Sequence, residues 1–169
     1  MATATLNYGA YTAMTVTNLQ SLAEDHADPF AGWQSDMVDN KTTVKATDYE
    51  IFVKLTTANT APANEKTAYV YVCPFTNDDS SGWNPSDQGT ATLPTGAEGV
   101  SSITIPNNLK FLGRLAYSTQ NMTMQGMWDL STIMPVMPDG FSIIIINNTG
   151  AALATGCVVA YRPITITIA

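Results

Sequence analysis

The sequence is short of the side chains on which most enzyme chemistry depends. His26 is the only histidine in 169 residues, so a hydrolytic triad or an imidazole base has one candidate. It lies in Glu24-Asp25-His26-Ala27-Asp28. An extended or irregular segment cannot bring all of those groups onto one ion, and no second His or Cys stands nearby. A solvated acidic loop is the expected reading. No Gly-x-Ser-x-Gly elbow presents a nucleophile, and no phosphate loop or dinucleotide fingerprint is present. Asp78-Asp79-Ser80-Ser81, with Asp87 further on, offers oxygens for calcium. It lacks the alternation and the closing bidentate Glu of a dedicated loop, so it reads as a polar turn. Paired carboxylates of a glycosidase meet only in the fold, and nothing marks such a pair. The expectation is no enzyme, no catalytic residue, no metal site and no cofactor.

Charge is scarce as well. Asp, Glu, Lys and Arg make up 12% of the chain, about half the usual share. The surface must then be covered by Thr, Ser, Asn and Gln, or be partly hidden in an assembly. Seven Lys plus Arg face fourteen Asp plus Glu, for a net charge of −7. Without a cationic cluster, nucleic acid is excluded as a partner, because phosphate binding needs cations that release counterions. An anionic membrane surface is excluded for the same reason. Two cysteines, Cys73 and Cys157, are too few for a disulfide scaffold. Each sits in an apolar run and reads as a buried free thiol, although a disulfide remains open until the Cα separation is known. The longest aliphatic run, Ile143 to Ile146, is followed by Asn147-Asn148, far short of a membrane span. Met1 to Tyr8 has neither the basic nor the apolar region of a secretory signal. The expectation is a protein made in the cytoplasm that stays there or leaves by another route.

What the chain does have is period-two alternation. Tyr49, Ile51, Val53 and Leu55 are apolar, while Glu50 and Lys54 point the other way, which is a strand pattern. Ala68 to Cys73 is a β-branched and aromatic run that Pro74 is expected to end. Val100 to Ile105 and Leu109 to Tyr117 read as strands, the second with a bulge or bend at Gly113. Phe141 to Ile146 reads as a central strand covered on both faces. Thr155 to Tyr161 and Ile164 to Ile168 read as two closing strands. Thr17 to Asp25 alone suggests a helical turn. Turn clusters separate these runs, and the long polar loop from Asn77 to Gly99 has the length of a functional or interfacial segment. The fold expected is all-β: one antiparallel β-sandwich domain over residues 1–169, a jelly roll of about eight strands. Residues 1–20 are expected to form an extended arm or first strand.

The candidate interface residues are aromatic, methionine and terminal-strand side chains. Trp33, Trp83 and Trp128 fall in or beside polar, Gly-containing segments. Met122, Met124 and Met127 crowd one stretch with Met134 and Met137. Met adapts to irregular core gaps, yet Trp and Met are also enriched where proteins dock and charge is depleted. Ile164, Ile166 and Ile168 alternate with Thr in a strand with no charge. Bare on a sheet edge, it would invite aggregation, so it is expected to be paired centrally or buried against another subunit.

Several segments resemble a family of small tailed-bacteriophage virion proteins. They are Ser21-Leu22-Ala23, then Ala31-Gly32-Trp33-Gln34-Ser35 and Val38-Asp39-Asn40, then Asn107-Asn108-Leu109-Lys110-Phe111-Leu112-Gly113. The apolar run Gly140 to Asn148, with Thr149-Gly150-Ala151-Ala152-Leu153 after it, is similar to that family's strand and Asn-x-Thr-Gly-x-x-Leu turn. Gly126-Met127-Trp128 replaces its Gly-Pro-Phe, and Phe141-Ser142 its Trp-Gly. The resemblance implies a particle component, a jelly-roll cement or decoration protein on the outer surface of the head. It would be a homotrimer bridging major capsid protein subunits. The alternative is a receptor- or carbohydrate-binding module on a tail or fibre, with exposed Trp33 or Trp83 as its aromatic platform.

Overall fold

A computed structural model describes residues 3–24, 30–63, 65–77, 83–85, 98–103 and 109–169. Its strands are β1 (Ala4–Tyr8), β2 (Thr12–Ala13), β3 (Phe30–Gln34), β4 (Val38–Asp39), β5 (Asp48–Thr56) and β6 (Thr67–Asn77). They continue with β7 (Trp83–Pro85), β8 (Gly99–Ile103), β9 (Lys110–Ala116), β10 (Thr123–Asp129), β11 (Gly140–Asn148) and β12 (Val158–Ile168). Helical structure among the described residues is limited to short turns at Leu19–Ser21, Asn40–Val44 and Leu130–Thr132. The first of these falls inside the segment expected to turn.

The strands form two antiparallel sheets. In the first, β1 and β2 lie end to end along β12, followed by β5 and β10. In the second, β8 borders β3, β3 and β4 lie end to end along β11, and β11 borders β6, which carries β9 and β7. If each end-to-end pair is one strand and β7 and β8 are additions, eight strands remain. The first then pairs with the eighth, the second with the seventh, the third with the sixth and the fourth with the fifth. This is a long hairpin rolled up until β12 meets β5 and β11 meets β6. Such nesting is the jelly roll, and it leaves two packed sheets with a shared core.

The register explains the core. Tyr49, Ile51, Val53 and Leu55 of β5 are fully buried and face Val70, Val72, Phe141, Ile143 and Ile145 of the second sheet. Tyr49 packs edge-on against Phe141 at 4.9 Å and Tyr161 at 5.9 Å. Its hydroxyl donates to Asn40 Oδ1 at 2.9 Å, and burial pushes its pKa up to about 12. Every residue of β11 is buried, as expected for a strand covered on both faces. Gly113 sits at a register shift between β6 and β9, the expected bulge. Cys73 and Cys157 are not joined in a disulfide and are buried in separate apolar clusters.

Two prolines depart from expectation. Pro74 does not end β6, which runs on to Asn77, and Pro163 does not divide β12. In each case the neighbouring strand is interrupted where the proline stands. β9 stops opposite Val72 and β7 begins opposite Phe75. β1 ends opposite Ile164 and β2 begins opposite Tyr161. A residue lacking an N–H is tolerated at such a break. Gly9 fills the second break, donating its N–H to the Pro163 carbonyl at 2.8 Å. A Cβ there would stand 2.7 Å from Pro163 Cγ, so the position requires glycine.

Candidate functional site: the bare face of one sheet

Cross-strand partners in an antiparallel pair share a face, so the register identifies the outer side of the first sheet. Ala4, Leu6 and Tyr8 oppose Ile168, Ile166 and Ile164. Further along, Arg162 opposes Glu50, and both Ala160 and Met127 oppose Phe52. Nine large apolar side chains are exposed among the described residues. Six of them, Leu6, Tyr8, Tyr11, Met127, Ile166 and Ile168, belong to this face. Scattered exposed apolar residues need no explanation, whereas a contiguous group does.

One ionic cluster ties the face together. Arg162 Nε lies 2.7 Å from Glu50 Oε1. The guanidinium stacks 4.7 Å from the Tyr8 ring centroid and 4.9 Å from that of Tyr11, an attractive cation–π arrangement. Tyr11 donates its hydroxyl to Glu50 and also contacts Met127 Sδ at 3.3 Å, and its ring meets Phe52 edge-on at 6.3 Å. Burial works against the Glu50 carboxylate, but the Tyr11 hydroxyl and Arg162 outweigh it and hold its pKa below the ordinary value. Tyr11 is pushed up by burial and by its bond to Glu50. Asp129 nearby is raised by burial and by the carboxylates of Asp48 and Glu50. The cation is thus neutralised within the chain, and what the face offers outward is mainly apolar.

The structure places the expected interface residues unevenly. Ile166, Ile168 and Met127 are on this face and exposed. Ile164 is only 5% exposed, because it sits where β12 still pairs with both β1 and β5. Trp33 is fully buried in the main core, with Nε1 donating to Glu98 at 2.8 Å. It cannot serve as an exposed aromatic platform. Met122, Met124 and Trp128 are partly buried and packed on the same core, as is Met137, while Met134 is buried in it, so most of the methionine-rich stretch fills gaps. Trp128 lies over Gly113 of β9 and Gly126 of β10, where an added Cβ would approach its ring to 2.5 and 2.3 Å. Trp83 begins β7, but its side chain lies outside the described residues. So do His26, Asp78 to Ser81 and Asp87.

Sequence reasoning missed Leu6, Tyr8 and Tyr11. The available signal was the absence of any charged side chain before Glu24 together with the Leu6-Asn7-Tyr8 alternation. Elsewhere, a cleft of about 460 Å³ is lined by Asn40, Lys41, Lys45, Ala46, Thr47, Met137 and Asp139. Several of its polar groups are engaged in local structure. Lys41 Nζ donates to the Asn77 carbonyl at 2.8 Å, and Asp39 caps the turn by accepting from the Lys41 and Thr42 amides. Among the described residues no three His, Cys, Asp or Glu side chains converge as a metal site.

Fold and face together define a jelly-roll β-sandwich with an apolar outer sheet face. No family model matches the chain, and no curated protein matches its sequence.

Proposed function

We propose that this chain is a structural protein of a tailed-bacteriophage particle. In this reading it is a homotrimeric decoration protein on the outer surface of the head, made in the host cytoplasm, that bridges major capsid protein subunits. The observation that carries the reading is a contiguous apolar face on a jelly roll whose charged residues total only 12%. Such a face is stable in water when it is covered. The net charge of −7 suits an outward position better than one lining packaged DNA, where like charges repel. The mechanism is additive, each copy burying area between shell subunits that internal pressure would otherwise separate. Closed cyclic symmetry is the usual way for small subunits to assemble. Particles stripped of the protein should lose thermal and osmotic stability and regain both when it is added back. Unchanged stability would sink the reading.

A receptor- or carbohydrate-binding module on a tail or fibre is the second reading. It loses Trp33 as a platform, while among the described residues exposed aromatic rings remain at Tyr8 and Tyr11 and at half-exposed Phe111, which has Tyr69 and Tyr71 at 6.4 and 5.4 Å. Labelling at the tail tip rather than over the head would favour it.

A further inference from the structure

We infer that the bare face built on the paired strands β1 and β12 is where copies of this chain contact one another. The inference deepens the self-association in the reading above and rests on that part of it, not on location in the head. Three observations carry it.

Charge is the first. Each copy is acidic, with net charge −7, so two copies repel over most of their surfaces. Residues 1–23 and 163–169 contain no Asp, Glu, Lys, Arg or His, and Arg162 is matched by Glu50. A face for a charged foreign partner would carry complementary charges. The β5–β10 side of the face carries Asp48, Lys54 and Asp129, whereas its β1–β12 side has no charge beyond the Arg162–Glu50 pair. It is on the β1–β12 side that an acidic protein meets its own copy with least repulsion.

Area is the second. At roughly 200 Å² for a fully bared large residue, exposures of 45% to 72% at Leu6, Tyr8, Tyr11, Met127, Ile166 and Ile168 leave roughly 700 Å² of surface on these residues, tyrosine hydroxyls included. That stands at the upper end of the ~300–600 Å² of the largest patch on an ordinary monomer and approaches the ~800 Å² that each partner contributes to a standard interface.

The third is the edge itself. β1 is the last strand of its sheet, with no further strand beside it among the described residues. Edges that must stay monomeric are guarded by Lys, Pro or inward-pointing charge. Ala4-Thr5-Leu6-Asn7-Tyr8 has none of these.

Sedimentation velocity and native mass spectrometry of the purified chain test this across micromolar concentrations. Wild type should run as an oligomer. Ile166→Glu and Leu6→Glu should each shift it to the 18.1 kDa monomer with near-ultraviolet circular dichroism unchanged. Val136→Glu, 80% exposed in the loop before β11, should remain oligomeric. If a Glu variant loses its tertiary signal, Leu6→Ser gives the same reading more gently. A wild type that stays monomeric throughout, or folded face variants that stay oligomeric, would overturn the inference. Antibody labelling of intact particles separates the two claims. Labelled heads with a monomeric protein overturn only the self-contact, and an oligomer absent from particles overturns only the virion reading.

Discussion

The outer faces of the two sheets are built from similar residues and meet opposite fates. On the second sheet, Ile144 and Ile146 point away from the main core yet are buried, in a cluster with Cys73, Phe75 and Leu109 backed by Met37, Tyr69 and Tyr71. On the first sheet, Ile166 and Ile168 also point away from the core and are 49% and 72% exposed. The sequence of each strand reflects the difference. β11 is apolar at consecutive positions, Ile143-Ile144-Ile145-Ile146, because both of its faces are dry. β12 ends Ile164-Thr165-Ile166-Thr167-Ile168, with a polar residue at every second place. An alternating strand is built to have one apolar face, and here the described residues of the chain leave that face uncovered.

One substitution made on each face turns the contrast into energies. Ile144→Thr removes buried apolar contact and adds a hydroxyl to a site that is fully buried. Lost packing and an ill-satisfied polar group together should cost about 2–4 kcal/mol in urea unfolding. A cost under about 0.5 kcal/mol would mean that the second sheet's outer cluster is not a true core. The neighbours Met127 and Trp128 sharpen the same boundary within one strand. Met127 is exposed on the bare face, while Trp128 packs on the core. Gly126→Ala drives a methyl group into the Trp128 ring and should destabilise by about 1–3 kcal/mol, with a red shift in tryptophan fluorescence. In a Trp128→Leu background the same change should cost less, since the two positions are coupled.

Much of this architecture was legible in the sequence. β5 and β11 announce themselves because their neighbours demand a fixed pattern, four alternating apolar residues in one and an unbroken run in the other. The sandwich follows from strand count and length, whereas the nested pairing that makes it a jelly roll joins strands far apart in the chain. β10 was not legible, although its exposure alternates residue by residue. One of its inward places is Gly126, small because Trp128 and Gly113 of a distant strand need the room. β3 was hidden for a related reason, since Trp33 beside Gly32 resembles a surface aromatic until Glu98 is found bonded to its ring nitrogen. Pro74 and Pro163 read as strand ends because the interruption they sit beside belongs to another strand. The bare face was half visible. Its isoleucines stand out in the alternating terminal strand, but Tyr8, Tyr11, Glu50 and Arg162 come together only through pairings that span most of the chain.

A smaller effect concerns the ionic cluster on the bare face. Glu50 has its pKa depressed in the fold by Tyr11 and Arg162, against the pull of burial. A depressed carboxyl stabilises the fold above its unfolded pKa of about 4.3, and the contribution fades as pH falls through the lower folded value. Asp129 is raised and works in the opposite sense, so the Glu50 contribution is read as a difference between proteins. Wild type should exceed Glu50→Gln in stability at neutral pH by on the order of 1 kcal/mol, and the gap should narrow as pH drops below the ordinary glutamate range. A gap constant from neutral pH to pH ~3 would show that the cluster contributes packing rather than charge.

The smallest effect is the most discriminating. Ile168→Thr keeps the β-branched shape that suits a strand and touches a side chain that is 72% exposed. In dilute solution, where single copies unfold, the change should fall within about 0.5 kcal/mol of wild type. Its signature should appear only on concentration. A contact between copies stabilises the folded chain by mass action, so the wild-type unfolding midpoint should climb with protein concentration. The Ile168→Thr midpoint should climb less, because one apolar contributor to the face is gone. The same Ile-to-Thr change is then costly at Ile144 at any concentration and costly at Ile168 only when other copies are present. A loss at Ile168 as large in dilute solution as at Ile144 would mean that both faces are covered by the chain itself, and the contrast between them would fail.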